Sequence, residues 1–280
     1  MVIFKNSGQI TASLSGTRNE GKTIGFVPTM GALHPGHISL INSSKEQNDL
    51  TVCSIFVNPA QFNNPEDLKR YPVTIEKDID SLLTAGCDIL FFPTVDQVYP
   101  PGYQKKTYPL GRIETILEGE YRPGHFQGVC EVMDRLLTII QPQNLYLGQK
   151  DYQQCMIIQK LIELTGRQRE VQLWIEPTMR EADGLAMSSR NLRLSEEDRK
   201  KATALNKALT YVQNNLGQQP LKTLRRNAKT SLESEGFKVD YVEIADARSL
   251  ETASGHSDKL IALAAASIND IRLIDNMVLN

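Results

Sequence analysis

Two histidines with a spacing suited to catalysis occur in the stretch PTMGALHPGH, residues 28–37. His34 and His37 flank a Pro-Gly step that can open a helix, and His37 then lies in the first helical turn. A helix N-terminus disfavours an imidazolium, so a histidine there stays neutral and still offers an N–H group to a phosphate oxygen as negative charge develops. Gly31 permits a loop geometry that a larger residue would resist. The stretch therefore predicts an anion site at which the two histidines stabilise a transition state.

Two alternative interpretations of this histidine pair remain open. The side chains could cap a helix or lie on the surface, and an H-x-x-H pair can also supply half of a metal site. The other two histidines, His125 and His256, have no cysteine or histidine near them in the sequence, which disfavours a metal site. The sequence does not identify ligands for a metal ion.

Further cationic and hydroxyl side chains occur in two other loops. Lys150 and Asp151 lie in GQKDYQQ between an apolar run and a predicted helix, where a lysine can bind a phosphate as a point charge. The stretch AMSSRN adds two hydroxyls and a guanidinium: Ser188, Ser189 and Arg190. It follows the Asp183-Gly184 pair, which is typical of a mobile loop that closes over phosphates. A solvated lysine and an ordinary serine-rich turn remain the alternatives.

Two glutamines lie at positions suited to binding a carboxylate substrate. Gln61 in NPAQF and Gln154 in DYQQ each follow a predicted strand. An arginine would bind a carboxylate more tightly but would draw off the charge that has to attack, so neutral amides position a nucleophilic carboxylate at less cost to its reactivity. Either glutamine alone would be interpreted as a surface residue.

Five apolar runs predict the strands that position these loops: residues 23–27, 50–57, 88–92, 144–148 and 171–175. Between them, apolar residues three or four apart predict helices, notably over 36–48, 75–86 and 152–165. Strand and helix in alternation are typical of an α/β fold with a doubly wound parallel sheet. Ligands of such sheets bind beyond the carboxyl ends of the strands, where we expect the four loops to converge.

The pattern changes after about residue 176. Helices are predicted first and strands after them: residues 195–216, 221–236, 239–246, 259–268 and 271–275. This order indicates a second, smaller α+β domain. We therefore predict two domains, residues 1–176 and 177–280, with a hinge near Pro177.

The composition limits the partners and the compartment. Lys and Arg number 31 and Asp and Glu number 33, and the net charge of −2 argues against a nucleic-acid-binding surface. The N-terminus lacks the features of a signal peptide, and no run approaches roughly 18 apolar residues, so we expect no membrane span and a cytoplasmic location. The four cysteines lie far apart without a C-x-x-C pair, which predicts buried reduced thiols.

Taken together, these stretches resemble one enzyme family. PTMGALHPGH is similar to the H-x-G-H signature of the nucleotidylyltransferase superfamily, and MSSRN is similar to its K-M-S-K-S loop. Over nearly its whole length the chain resembles the pantoate–β-alanine ligase family, whose characteristic stretches occur in the same order: FVNPAQF, VYPPGY, LEGEYRPGHFQGV, LGQKDYQQ and MREADGLAMSSRN. The H-x-G-H signature alone would indicate only the superfamily.

The resemblance implies a fold and an activity. The fold would be a Rossmann-like N-terminal domain that binds nucleotide and pantoate, with a smaller C-terminal α+β domain carrying the MSSRN loop, in a cytoplasmic homodimer. The activity would be the ATP-dependent ligation of pantoate and β-alanine to pantothenate through a pantoyl adenylate, with release of pyrophosphate and AMP. Mg²⁺ would accompany the ATP.

The resemblance also implies roles for individual residues. His34, His37 and Lys150 would act on the phosphates as catalytic residues. Gln61 and Gln154 would bind pantoate, with Gln61 also near the β-alanine site. The positions that would contact the nucleotide are Met30, Gly31, Ala32, Leu33, His34, Pro35, Gly36, His37, Gly148, Gln149, Lys150, Asp151, Met179, Met187, Ser188, Ser189 and Arg190.

Two of these positions depart from the residues common in the family. Gln149 stands where an acidic residue is frequent, and Met179 stands where a valine is frequent. Gln149 removes a carboxylate near the phosphates, and Met179 keeps an apolar contact. We expect activity to be retained and only affinities to change.

Three other functions fit parts of the pattern. They are a nucleotidylyltransferase that acts on a phosphorylated substrate, a tRNA-charging enzyme without its RNA-binding parts, and a nucleotide-binding module without turnover. Exchange of pyrophosphate into ATP that requires pantoate would separate the ligase from the first two. The presence of both histidines, both glutamines and the lysine disfavours the third.

Overall fold

Parallel strands alternate with helices over the first part of the chain in the computed structural model, which describes residues 1–63, 65–254 and 257–280. The strands are β1 (Val2–Phe4), β2 (Ile24–Thr29), β3 (Leu50–Ile55), β4 (Ile89–Phe91), β5 (Asn144–Gly148) and β6 (Gln172–Glu176). They form a sheet in the order β1-β4-β3-β2-β5-β6, and each neighbouring pair is parallel. This arrangement confirms the predicted doubly wound sheet.

Helices connect these strands. They are α1 (Ser7–Asn19), α2 (Pro35–Gln47), α3 (Pro65–Lys69), α4 (Ile75–Thr84), α5 (Val95–Val98), α6 (Glu118–Tyr121), α7 (His125–Ile140) and α8 (Tyr152–Leu164). Short 3₁₀ helices occur at Pro59–Gln61, Gly111–Glu114 and Gln149–Asp151. The central strands β2 and β3 are buried along nearly their whole length, because both faces of a doubly wound sheet are covered.

Several of these elements are not predicted by the sequence pattern, and the short helices α3, α5 and α6 are among them. The pattern does not predict β1, which has three residues with Val2 and Ile3 exposed, nor does it predict α1 or α7. In α7 the acidic residues Glu131 and Asp134 are buried, so polar residues interrupt the apolar spacing that would have indicated a buried helix. Tertiary ion pairs make this burial possible, as described below.

The C-terminal part is built from helices and a small antiparallel sheet. Its elements are a 3₁₀ helix at Ser189–Arg193, α9 (Glu196–Lys201), α10 (Ala204–Asn214), α11 (Leu221–Ser234), β7 (Lys238–Asp246), β8 (Leu260–Ile268) and β9 (Ile271–Val278). The sheet order is β7-β8-β9 with antiparallel pairs. One face of this sheet and helices α10 and α11 share an apolar core that includes Leu209, Leu232 and Ile244. The α+β character predicted for this part is confirmed.

The single helix predicted over 195–216 is wrong, because the helix is broken between α9 and α10. The Leu205 N–H group donates to Ala202 O over a spacing of three residues at 3.3 Å, in place of the usual spacing of four. The Thr203 hydroxyl donates to Lys200 O at 2.9 Å, and this local bond competes with the helical pattern.

The chain divides into two compact units that are not continuous in sequence. The first comprises Met1–Gly111, Arg122–Gly148 and Gln154–Pro177, and the second comprises Arg112–Tyr121, Gln149–Gln153 and Thr178–Asn280. The last change of unit falls next to the predicted boundary at 176/177. Two short segments of the N-terminal part nevertheless belong to the second unit. The assignment of a separate function to each domain stays a prediction.

Cys53, Cys87, Cys130 and Cys155 are all buried and none forms a disulfide, which confirms the prediction of buried reduced thiols. Burial raises the pKa of the Cys87 thiol to about 11. Within the described ranges, the helices fall short of the length and hydrophobicity that a bilayer crossing requires.

Candidate active site

The loop between β2 and α2 has an unusual backbone. Gly31 and Ala32 both lie in the left-handed region, with φ of 84° and 48°. For alanine this conformation costs roughly 1–2 kcal/mol, which surrounding bonds must offset. The Gly31 N–H group donates to Thr29 Oγ1 at 3.2 Å, and the Ala32 and Leu33 N–H groups donate to the carboxylate of Asp78 at 2.9 and 2.8 Å. The loop is therefore held by bonds to its own backbone N–H groups.

The two histidines lie side by side at the start of α2. His37 is in the first turn of the helix, as predicted, and His34 is the N-cap, a position that the sequence left open as an alternative. Their ring centroids are 3.9 Å apart, and the backbone N–H group of His34 donates to His37 Nδ1 at 3.3 Å. A neutral imidazole that accepts at Nδ1 carries its proton on Nε2. His37 thus presents an Nε2–H donor at a helix N-terminus, where anions bind.

A second polar group forms where β3 ends. Asn58 is buried, and its Nδ2 donates to Gln61 Oε1 at 3.1 Å while its Oδ1 accepts from Tyr99 OH at 3.0 Å. Because Asn58 occupies the amide oxygen of Gln61, the NH₂ group of Gln61 turns toward Met30 and lies 3.1 Å from its Sδ. Thioether sulfur is a weak acceptor, so a carboxylate could take its place as a partner.

The sheet brings several predicted residues to one edge. β3, β2 and β5 are neighbours, and because they are parallel their carboxyl ends share an edge of the sheet. Residues 30–37 follow β2, Gln61 follows β3 and Gly148 ends β5, while Gln154 is half-buried in the first turn of α8. From β2 the chain adds β3 and β4 on one side of the sheet, and it then adds β5 and β6 on the other side. Ligands of doubly wound sheets bind at such a switch point, which here lies between β2 and β5.

In the second unit, β9 holds the segment that carries Lys150. The side chain of Asn276 is buried, and its Nδ2 donates to Gln149 O at 2.9 Å and to Lys150 O at 2.8 Å. Gln149 Nε2 donates to Asn276 Oδ1 at 3.1 Å, so the glutamine at this departure from the family pattern has a structural partner. The Lys150 side chain is 16% exposed and its Nζ is 3.8 Å from Asp151 Oδ1. This separation is too long for a hydrogen bond that would commit the ammonium group.

The segment before the serine pair is a tight hairpin. The Met187 N–H group donates to Met179 O at 3.0 Å, and Gly184 at the tip has φ of 91°. Arg180 forms two bonds to the buried carboxylate of Asp275, at 2.7 and 3.0 Å. Asp275 is the neighbour of Asn276 on β9, so one strand fixes both the hairpin and the Lys150 segment. Movement of this loop stays a prediction.

The serine pair opens the short 3₁₀ helix after that hairpin. Ser188 is its N-cap, and Ser188 Oγ accepts from the Arg190 N–H group at 3.3 Å. Ser189 is buried, and Arg190 is half-buried. Two hydroxyls and a guanidinium therefore occupy consecutive positions, as the sequence predicts, and their binding of phosphate stays a prediction.

A metal centre made of side chains is not evident in the described part of the chain. Across residues 1–63, 65–254 and 257–280, no three His, Cys, Asp or Glu side chains group as a metal site. His125 Nδ1 lies 2.8 Å from Gln61 O, and so contacts the backbone of a predicted substrate-binding residue. His256 lies outside the described residues.

Comparison with known proteins decides the family. Residues 2–278 match the sequence pattern of the family described as pantoate-beta-alanine ligase. The chain belongs to this family of enzymes. A pantothenate synthetase of Pseudomonas fluorescens is 42% identical over 283 residues, which cover 100% of this chain and 98% of the relative. One from Fervidobacterium nodosum is 42% identical over 264 residues, which cover 94% and 93%.

Solved structures agree with the family and the fold. The pantothenate synthetase of Thermus thermophilus superimposes with a TM-score of 0.93 at 38% identity and covers 100% of this chain and 99% of its own. The Francisella tularensis pantoate–β-alanine ligase, solved in complex with β-γ ATP and β-alanine, has a TM-score of 0.84 at 37% identity, with coverage of 99% and 97%. The predicted family, enzyme class and fold class are confirmed.

Sequence patterns do not identify four polar residues of this member of the pantoate–β-alanine ligase family. They are Asn58, Asp78, Asp275 and Asn276, and each is buried and bonded to a predicted site segment. Asn58 lies in the stretch FVNPAQF, three residues before Gln61, and this position beside a predicted site residue is a local signal for it. The other three lie in an ordinary helix and strand, and nothing in their local sequence marks them.

Proposed function

We propose that this chain joins pantoate to β-alanine in two steps at the expense of ATP. In the first step a pantoate carboxylate oxygen attacks the α-phosphorus of ATP, and the bond to the bridging oxygen breaks to release pyrophosphate. In the second step the amine of β-alanine attacks the acyl carbon of the pantoyl adenylate. AMP leaves with the attacking carboxylate oxygen, the amine loses a proton, and pantothenate forms.

The pairing of the histidine loop with the Gln61 turn is the observation that carries this proposal. A neutral amide and an N–H donor at a helix N-terminus follow neighbouring strands of one sheet, and Gln61 contacts Met30 of the loop. The amide suits an organic carboxylate that must remain nucleophilic, while the helix N-terminus suits phosphate. Gln61 and Gln154 are proposed to bind pantoate, with Gln61 also near β-alanine.

The first step brings like charges together. The carboxylate has a charge of −1 and ATP has a charge of about −4. Two unit charges 4 Å apart repel each other by roughly 4 kcal/mol at an effective dielectric of 20. Lys150 and Arg190 are proposed to offset it, Ser188 and Ser189 to bind phosphate oxygens, and the two imidazoles to donate N–H bonds that strengthen in the transition state. The remaining nucleotide contacts are proposed at the positions that the family resemblance implies: Met30 to His37, Gly148 to Asp151, Met179 and Met187.

The second step requires a neutral amine, although an alkyl ammonium has a pKa near 10. No carboxylate of the loops bearing the proposed site residues stands out as a base. We propose that the step depends on position, with the amine held against the mixed anhydride and AMP as leaving group. The β-alanine bound in the Francisella tularensis structure supports a site for this substrate in the family.

Mg²⁺, the assembly and the compartment are part of the proposal. Mg²⁺ keeps several waters and binds through substrate phosphates with one or two carboxylates. Mg²⁺ is therefore proposed as part of the ATP substrate, and neutralises phosphate charge when bound. The protein is proposed to act as a cytoplasmic homodimer without nucleic-acid or membrane partners.

The experiment that tests the function uses pantoate labelled with ¹⁸O in its carboxylate. With ATP and no β-alanine, mass spectrometry of the protein-bound fraction should detect an ¹⁸O-labelled pantoyl adenylate. After β-alanine is added, one label should appear in AMP. Release of ADP, or unlabelled AMP, would contradict the adenylate route.

A further inference from the structure

Asp78 is a buried carboxylate to which the proposed mechanism gives no role. It lies in α4 and is 1% exposed. Oδ2 accepts from the Ala32 N–H group at 2.9 Å, and Oδ1 accepts from the Leu33 N–H group at 2.8 Å and from the Thr74 hydroxyl at 3.0 Å. The carboxylate therefore fills a nest of successive backbone N–H groups directly before His34.

The shape of the loop and the carboxylate depend on each other. A Cβ at Gly31 would lie 3.1 Å from Asp78 Oδ2 and 3.1 Å from Ile55 Cγ2, so a larger residue would crowd the carboxylate, and its φ of 84° also favours glycine. Ala32 holds a left-handed conformation that alanine disfavours. In this conformation two consecutive N–H groups donate charge-assisted bonds to Asp78, and such bonds are about twice as strong as neutral ones. The geometry thus explains how the strained loop persists.

We infer that Asp78 is a positioning residue for the first step of the reaction. It holds residues 31–33 so that His34 becomes the N-cap of α2 and His37 presents Nε2–H to the phosphates. The inference rests on the roles proposed above for the two histidines. Asp78 acts through the loop backbone and does not itself touch the reacting atoms.

Asp78→Asn tests this inference with a side chain of the same size. An amide has one oxygen to accept, so one of the two loop N–H groups would face an NH₂ donor. Asp80→Asn is the matched control, because Asp80 lies on the same helix and is exposed. The rate to measure is pantoate-dependent exchange of labelled pyrophosphate into ATP. We expect a loss of at least tenfold for Asp78→Asn and a change within twofold for Asp80→Asn.

A second readout separates positioning from a general loss of folded protein. His34 and His37 ring resonances, assigned by NMR with single His→Gln variants, should shift in Asp78→Asn, while the resonance of His125 should stay in place. Exchange within twofold of wild type with unchanged His34 and His37 resonances would overturn the inference. Exchange that is absent in the wild type would instead overturn the proposed function.

Thr74→Val covers the case in which Asp78→Asn does not fold. This variant removes only the hydroxyl bond to Asp78 and leaves both loop bonds in place. We expect a smaller loss of exchange, about two- to fivefold, with shifts of the same two histidine resonances. Unchanged exchange and resonances in a folded Thr74→Val variant would count against the inference.

Discussion

At the scale of single residues, the tautomer of His37 is the feature with the most direct consequence for chemistry. Its Nδ1 accepts from the His34 backbone N–H group, so the neutral ring carries its proton on Nε2. A ring without this bond could present either nitrogen. The backbone of α2 therefore selects the donor that the proposed first step uses.

His37→Ala should slow pantoate-dependent pyrophosphate exchange about a hundredfold or more, because loss of one preorganised donor to a developing charge has that effect. His37→Asn keeps an NH₂ donor group and a carbonyl acceptor, and should retain clearly more activity than His37→Ala. Circular dichroism of both variants controls for folding. Near-normal exchange in a folded His37→Ala variant would contradict the role of this residue.

At the scale of elements, α7 packs against the turn that carries Gln61. A Cβ at Gly128 would lie 2.2 Å from Ala60 O and 2.9 Å from Gln61 Cα, and neither atom can give way without moving the backbone. The Gly128 carbonyl also accepts from Asn58 Nδ2 at 3.2 Å. The helix thus determines where the turn can lie.

Gly128→Ala should displace this turn and raise the KM for pantoate about tenfold, with a loss of roughly 1–3 kcal/mol in the free energy of unfolding from overpacking. Gly16→Ala on α1 is the matched control, since a Cβ there would meet nothing within 4 Å. That variant should keep the wild-type KM and gain a little helix stability. A Gly128→Ala enzyme with an unchanged KM would show that the turn does not depend on this contact.

The same helix is held through a buried ionic group. Asp134 Oδ2 accepts from Lys106 Nζ and from the Tyr108 hydroxyl, both at 2.8 Å, and Oδ1 accepts from Arg167 at 2.7 Å. Burial raises the pKa of the Asp134 carboxyl, but these hydrogen bonds outweigh it and hold the pKa below its ordinary value. A carboxyl with a lowered pKa in the folded state stabilises the fold above its unfolded pKa of about 3.9.

This stabilisation should be lost as the pH falls from about 4 through the lower folded pKa. Asp134→Asn should reduce the free energy of unfolding by about 3 kcal/mol near neutral pH, because Arg167 loses its buried partner. Thermal unfolding at several pH values should show the difference from wild type shrinking below about pH 4. Glu197→Gln, which breaks an exposed pair with Lys201, should cost about 0.5 kcal/mol or less. A pH-independent difference for Asp134→Asn would contradict this account.

At the scale of the whole molecule, the second unit is assembled from segments far apart in sequence. Arg272 on β9 forms two bonds of 2.7 Å to Glu118 and one of 2.7 Å to Asp240. Gln153 Nε2 donates to the carbonyls of Ile113 and Ile116, each at 2.8 Å. Segments 112–121 and 149–153 are therefore integral to the fold of this unit.

A fragment cut at the boundary predicted from sequence should be less stable than the second unit in the full chain. Residues 177–280 alone lack Glu118 and the carbonyls that Asn276 binds. The loss of Glu118 as the partner of Arg272 should cost roughly 3 kcal/mol in the free energy of unfolding. We therefore expect the Tm of the fragment to be at least about 10 °C below that of the second unit in the full chain. Arg272→Met should destabilise the full chain more than the fragment, where Glu118 is already absent. Equal effects of Arg272→Met in both would argue against the importance of this contact.

The sequence by itself determines the local features of this protein. Apolar runs predict β2, β3 and β5, the Pro-Gly step predicts the start of α2 with His37 in its first turn, and the order of the quoted stretches predicts the family. The strand and helix predictions depend on residues within a few positions of each other, where spacing alone fixes which side chains share a face. The residues proposed for chemistry lie in such stretches.

Only the tertiary structure reveals what holds those residues in place. Asp78 contacts Ala32 across 46 positions, and Arg272 contacts Glu118 across 154. No local spacing marks an acidic residue of a helix as the partner of a distant loop, because the bond exists only once the chain has brought both to one place. The burial of Asp134 in α7 likewise becomes favourable only with Lys106 and Arg167 beside it.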